Sequence, residues 1–256
     1  MAEHVEIERN VCNPVFQVGN DNNAGYKPKV LIVTDSRGFG LTLQITRNQR
    51  INTLRGAELD VKLYSGATLQ ELHECIRRAN TFKSYDLNIV VGGICNLTER
   101  ISWSGYNILH YPVKDLSSIK STFLELREQY QGKVIFATIC PAGLTKHARV
   151  KNHIDELPQE LENLLTENQS RLNRDIEEIN SWILDNNRQY NCTNIDLSKI
   201  AKSQSIKRKL SGEKYRIQHF SDKNLYDGVH GNVLQRERWH KRTVDVIYQE
   251  LTKRFY

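Results

Sequence analysis

The fold class predicted by this sequence is α/β, with a parallel sheet covered by helices on both faces. Three observations carry that prediction. Five short runs have the apolar or alternating pattern of strands. After each of the last four, apolar residues recur at helical spacing or the chain reads as a helix. The chain has 256 residues, 39% of them hydrophobic, enough for one well-buried core.

Residues 1–27 are polar and rich in asparagine, with no clear period, and read as an N-terminal tail or edge-packing arm. Residues 28–256 are expected to form a single domain. The first strand, Val30-Leu31-Ile32-Val33 and its neighbours, is continuously apolar, the mark of a strand buried on both faces. Residues 58–64 alternate and form the second strand. Leu69, Leu72, Ile76 and Ala79 then recur at helical spacing. Leu87-Asn88-Ile89-Val90-Val91 is the third strand, followed by a helical stripe of Leu116, Ile119, Phe123, Leu126 and Tyr130. Residues 133–138 are the fourth strand, stopped by Pro141. A polar insertion, 143–157, leads into a long helix over 158–187, whose stripe is Leu161, Leu164, Leu165, Leu172, Ile176, Ile179 and Ile183. Residues 191–197 are the fifth strand, and 229–253 form a closing helix. The prediction is a five-stranded parallel sheet with right-handed crossovers.

Composition narrows the function classes. No run approaches the ~20 apolar residues that span a bilayer. The N-terminus, Met-Ala-Glu-His-Val-Glu-Ile-Glu, lacks a basic region followed by an apolar stretch, so no secretory leader is expected. Cys12, Cys75, Cys95, Cys140 and Cys192 are scattered and odd in number, which suggests neither a disulfide framework nor a metal site. An intracellular, cytoplasmic setting is expected. The sequons at Asn96, Asn168 and Asn191 are read as chance. His110, His147 and His153 are too loosely spaced for a metal site and read as surface residues. No metal or other cofactor is expected. The net charge is +6. Within 199–216, Lys199, Lys202, Lys207, Arg208, Lys209, Lys214 and Arg216 face one acid, Glu213. A solvated loop is the favoured reading of that stretch, and a nucleic-acid contact the less favoured one. Arg236, Arg238, His240, Lys241 and Arg242 read as an exposed helix face, and Tyr226 and Trp239 as packing residues.

In open parallel sheets, ligands bind beyond the carboxyl ends of the strands. Thr34-Asp35-Ser36-Arg37-Gly38 follows the first strand, Tyr64-Ser65-Gly66 the second, and Gly92-Gly93-Ile94-Cys95-Asn96 the third; Asp227-Gly228-Val229-His230 precedes the last helix. A serine hydroxyl needs a base to take its proton. A histidine serves if a carboxylate fixes its tautomer. Asp227 and His230 are three residues apart, so the carboxylate can reach the ring within one turn. The Ser36 amide lies where a strand passes into a helix, and the Gly66 amide is unobstructed by a side chain. Two such donors can hold an oxyanion.

These four blocks resemble the SGNH (GDSL-type) hydrolase superfamily. Asp35-Ser36 is similar to its Gly-Asp-Ser block, Gly66 to the glycine after the second strand, Gly93 to Asn96 to its Gly-x-Asn-Asp block, and Asp227 to His230 to its Asp-x-x-His block. The resemblance runs from about Lys29 to the last helix. It implies a three-layer α/β/α, flavodoxin-like fold and hydrolysis of esters, acetyl groups, thioesters or lipids without a metal, with a small ester or acetylated substrate as the expected partner. Ser36, His230 and Asp227 would be the triad, with the Ser36 and Gly66 amides in the oxyanion hole. Asp35 would brace the serine turn. Two positions depart from the pattern. Thr34 stands where the family has glycine, and strict register sets Cys95 at the oxyanion asparagine and Asn96 at the aspartate after it. A local shift would let Asn96 be the third donor instead of Cys95. The Gly-Ile-Cys-Asn-Leu-Thr wording also resembles esterase-like domains of retroelement reading frames. The alternative function is a weakly active or inactive binding module on the same fold, contacting nucleic acid or lipid.

Overall fold

A computed structural model describes residues 27–36, 57–82, 84–112, 114–130, 133–208, 214–220 and 222–253. Residues 1–26 of the expected tail, Cys12 among them, lie outside the described residues, as do Arg37, Gly38 and the basic side chains of 202–216. Strands β1 (Lys29–Thr34), β2 (Glu58–Leu63), β3 (Leu87–Val91) and β6 (Lys133–Phe136) form one parallel sheet in the order β2-β1-β3-β6. Two antiparallel hairpins stand apart from it: β4 (Glu99–Trp103) with β5 (Tyr106–His110), and β7 (Lys202–Arg208) with β8 (Lys214–Phe220).

The apolar run of β1 reads as a double-faced strand because it is one. Leu31 and Val33 pack on one face, with Leu69, Leu72 and Ile76 of α1 (Leu69–Phe82), Ile119, Phe123 and Leu126 of α3 (Leu116–Glu128), and the stripe of α5 (Gln159–Gln189). Val30 and Ile32 face the other way, towards α6 (Leu197–Ala201) and Trp239, Val244, Ile247 and Leu251 of α7 (Val233–Thr252). All four β1 residues have no exposed surface. Each such side chain contributes about 1.5–3 kcal/mol of hydrophobic stabilisation. Two further helices lie between these, α2 (Ile94–Leu97) and α4 (Leu144–Asn152). The latter replaces the expected polar insertion. The hairpin β4–β5, absent from the expected elements, turns through Ser104 (φ 46°) and Gly105 (φ 87°), the left-handed pair that two-residue hairpin turns require.

Among the described residues the sheet has four parallel strands where five were expected. Residues 191–197 add no strand to it: among the described residues their ladder pairing is a single isolated parallel bridge, Ile195 to Ala137, with the Thr138 amide donating to the Ile195 carbonyl at 2.9 Å. The reason is competition for both partners. The outer edge of β6 is occupied at Phe136 by the Asn187 side chain of α5, and Asn180 of the same helix holds the chain just beyond the strand. Asn187 donates to the Phe136 carbonyl at 2.8 Å and accepts from its amide at 3.3 Å, and Asn180 does the same for Ile139 at 2.9 and 2.6 Å. The segment itself is drawn elsewhere. Asn191 is left-handed (φ 52°), the Thr193 amide donates to Glu250 at 2.8 Å, and Asp196 accepts from the Lys199 amide at the start of α6 at 3.0 Å.

Two consequences are measurable. Asn187→Ala leaves the Phe136 backbone and one nitrogen of the buried Arg127, 2.9 Å away, without partners. A loss of about 2–4 kcal/mol is expected, read as a lower urea midpoint. Glu250 is 2% exposed and is bonded by Lys253, Thr193 and Lys133. Burial raises its pKa, but those partners outweigh it and hold the carboxyl at about 2. A depressed carboxylate stabilises the fold above its unfolded pKa of ~4.3 and ceases to do so as pH falls through the folded value. The stability advantage of wild type over Glu250→Gln should therefore be full at neutral pH. It should shrink as pH falls from ~4.5 towards 2, as followed by denaturant melts.

Candidate active site

Ser36 is delivered by the end of β1. The Asp35 amide donates to the Val91 carbonyl at 3.0 Å, and the Tyr64 amide donates to the Thr34 carbonyl at 2.9 Å. The strand ends carrying Ser36, Gly66 and Gly92 are thereby tied together at the carboxyl edge of the sheet. Asp35 is buried (1% exposed), and Ser36 follows it, half-buried, at the end of the strand.

Asp227 and His230 arrive on a tight loop closed by an antiparallel bridge between Leu225 and Gly231 and by the Tyr226 amide donating to the His230 carbonyl at 2.6 Å. The Asp227 carboxylate divides its work. Oδ1 accepts from the amides of Val229 and His230 at 3.0 and 2.8 Å, and Oδ2 lies 2.7 Å from His230 Nδ1. Partial burial raises the Asp227 pKa. The bond to the His230 ring and the two amides outweigh that, and hold the carboxyl well below the usual carboxylate range. An ionised carboxylate only accepts, so Nδ1 carries the ring proton. Nε2 is then the acceptor, and Ser36 Oγ donates to it at 2.6 Å. The line Ser36–His230–Asp227 is unbroken.

The loop is seated on α4 through Gly228 (φ +87°). The Gly143 amide donates to the Gly228 carbonyl at 2.6 Å, and Lys146 Nζ donates to the Leu225 carbonyl at 2.8 Å. This seat also brings in His147, expected on the surface but half-buried beside the loop, with its Nδ1 buried and unpartnered. No sequence signal marks it, because its approach depends on the contact of Gly143 with Gly228. Two further expectations are corrected. Tyr226 is 74% exposed, not packed, because the loop closure turns it outward, whereas Trp239 is buried as expected. His240 is 5% exposed, not on an open face, since it lies on the inner side of α7.

The oxyanion candidates are placed unequally. Gly66 is left-handed (φ +77°), with open space where a Cβ would be, so its amide is unobstructed. Gly93 (φ +111°) opens α2. Asn96 is held at the start of α1: Oδ1 accepts from the Leu69 amide at 2.7 Å and Nδ2 donates to Gln70 Oε1 at 2.7 Å. One Nδ2 hydrogen remains for a further acceptor. Cys95 is half-buried against the larger core cluster. Among the described residues no group of three or more His, Cys, Asp or Glu could hold a metal, and no helix is long and apolar enough to cross a membrane.

No family model matches this sequence, and no curated protein matches it. Solved structures do. A GDSL-like lipase from Bacteroides thetaiotaomicron aligns with a TM-score of 0.52 at 14% identity, over 88% of this chain and 88% of its own. An acetyl xylan esterase, AlAXEase, gives 0.52 at 16% identity, over 86% and 99%. A lipase/acylhydrolase from Enterococcus faecalis gives 0.50 at 15%, over 87% and 96%. These hydrolases lend no support to a retroelement origin. At such identities the likeness is one of fold: the chain has an SGNH-like α/β fold, a parallel sheet flanked by helices, with Ser36, His230 and Asp227 in hydrogen-bonded sequence at its carboxyl edge.

Proposed function

We propose that this protein is a serine hydrolase of carboxylic esters or acetyl groups, acting through residues 28–256 as one unit. The observation that carries the proposal is the continuous hydrogen-bonded line from Ser36 Oγ to His230 at 2.6 Å and on to Asp227 at 2.7 Å. Ser36 attacks the ester carbonyl while its proton passes to His230 Nε2. Asp227 holds the ring in the required tautomer and stabilises the imidazolium. The Ser36 and Gly66 amides hold the oxyanion, with the remaining Nδ2 hydrogen of Asn96, or the Cys95 thiol, as third donor. His230 then gives the proton to the leaving alcohol, and water repeats the sequence on the acyl-serine. The lipase and esterase activities of the structural neighbours fit this reading. A fluorophosphonate probe should label the protein at Ser36, as located by mass spectrometry. No label on folded protein overturns the proposal.

A second reading, a binding module without turnover, is favoured by one observation: the Asn96 amide already serves Leu69 and Gln70. The basic hairpin would then contact polyanions. Retention on heparin that falls steeply with salt, together with no ester turnover, is the result this reading expects.

A further inference from the structure

His147 is an ionisable side chain beside the Asp227–His230 loop to which the mechanism gives no work. Its backbone is wedged against that loop: a Cβ on Gly228 would stand 2.5 Å from the His147 amide nitrogen and 2.9 Å from its Cα. Its ring shares the field of four charged or titratable neighbours, Asp227 and His230 on the loop, Arg100 on β4 and Lys151 one turn along α4. Its Nδ1 is buried and has no hydrogen-bond partner, while the residue as a whole is half-exposed. The outward end of the ring is therefore Nε2.

The tautomer follows from the cost of stranding each kind of group. A buried, orphaned N–H is rarer in folded proteins than an under-used acceptor. The dry Nδ1 is then the lone pair, and the proton sits on Nε2, where water or a ligand can accept it. Burial pushes the His147 imidazole below its ordinary pKa, more strongly than Asp227 draws it up, so the ring is neutral and is a hydrogen-bond donor rather than a charge.

The side of the site matters. The oxyanion donors, Ser36 and Gly66, belong to the ends of β1 and β2. The leaving alcohol takes its proton from His230 and so departs on the side of the Asp227–His230 loop, the side on which His147 sits. Resting on the hydrolase reading, we propose that His147 Nε2–H is a specificity donor for the alcohol portion of the substrate. It selects esters whose alcohol carries an acceptor oxygen next to the scissile bond, as in polyols and sugars. Arg100 and Lys151 are exposed at the same rim and favour the same oxygen-rich group.

The experiment compares glycerol 1-acetate with propyl acetate, alcohols of equal carbon number with and without neighbouring hydroxyls. Wild type should prefer the glycerol ester by about tenfold in kcat/KM, the worth of one hydrogen bond. His147→Phe should abolish that ratio, chiefly through a raised KM for the glycerol ester. Glutamine places its amide nitrogen where Nε2 stood and asparagine where Nδ1 stood, so His147→Gln should restore the ratio and His147→Asn should not. Should the phenylalanine variant fail to fold, the glutamine and asparagine pair decides alone. Equal ratios in those two variants, no preference in wild type, or equal losses on both esters overturns the inference. Fluorophosphonate labelling of Ser36, followed in parallel, separates the two failures. Labelled enzyme without the preference sinks only the role of His147, and neither label nor turnover removes the hydrolase reading and this inference with it.

Discussion

Ser36→Ala is expected to abolish ester hydrolysis, lowering kcat by about 10⁴-fold or more, while the thermal midpoint moves by no more than a few degrees. The size follows from the geometry. Ser36 Oγ is the atom that His230 Nε2 meets at 2.6 Å, and its loss removes nucleophilic catalysis and leaves only binding and oxyanion stabilisation. The fold should tolerate the change because Ser36 is half-exposed, and the bonds that seat the turn are made by the backbone of Thr34 and Asp35. Asp227→Asn is the informative companion. Asparagine can still accept from the two backbone amides, so the loop should persist. Its amide nitrogen, however, can donate to Nδ1 and favour the wrong tautomer, for which a loss of about 10⁴ is expected. Hydrolysis of nitrophenyl acetate, with the limit set by the Ser36→Ala protein, measures both. Equal rates in wild type and Ser36→Ala would show that the measured turnover belongs to something other than this site.

Gly228→Ala should be the most damaging conservative substitution outside the three side chains themselves. Its added Cβ would lie 2.4 Å from the Gly143 carbonyl oxygen and 2.5 Å from the His147 amide nitrogen, both backbone atoms that have no rotamer to swing away. The left-handed φ of +87° adds strain of about 1–2 kcal/mol for any residue with a Cβ. Relief requires the loop to lift off α4, breaking the 2.6 Å bond from the Gly143 amide and withdrawing His230 from Ser36. A misplacement of about 1 Å costs on the order of a hundredfold in rate, so a loss of 10²-fold or more is expected with a destabilisation of about 2–4 kcal/mol. Gly66→Ala is the control. Its φ of +77° is equally left-handed, but nothing lies within 4 Å of the added Cβ, and alanine keeps the amide. It should cost about 1 kcal/mol in a urea melt and less than tenfold in rate. Equal effects of the two alanines would mean that strain, not the contact with α4, governs the loop.

The patterns that were legible in the chain are those that local chemistry dictates. Val30 to Val33 is apolar at every position because both faces of that strand are covered, and the stripe from Leu161 to Ile183 repeats at helical spacing because one side of a helix is buried. The Asp227–His230 spacing is likewise local: the carboxylate and the ring meet within a single turn, so four letters are enough to suggest the pair. The meeting of His230 with Ser36, 194 positions away, could be expected only from a rule about strand ends. Its distance came from the tertiary structure.

What the linear order could not reveal depends on partners far along the chain. Residues 191–197 have the composition of a strand, yet Asn187 holds the Phe136 backbone and Glu250 draws off the Thr193 amide, so four strands form rather than five. Asn187 on the long helix takes, in three dimensions, the place of a missing strand partner for Phe136. His147 reads as a surface histidine until Gly143 and Gly228 join. Apolar periodicity and a four-residue motif therefore determined the layers and the acid–base pair, because burial and short-range reach are written locally. Strand count, the seat of the Asp227–His230 loop and the surroundings of Asn96 and His147 were decided by long-range competition for backbone hydrogen bonds, which no stretch of sequence records by itself.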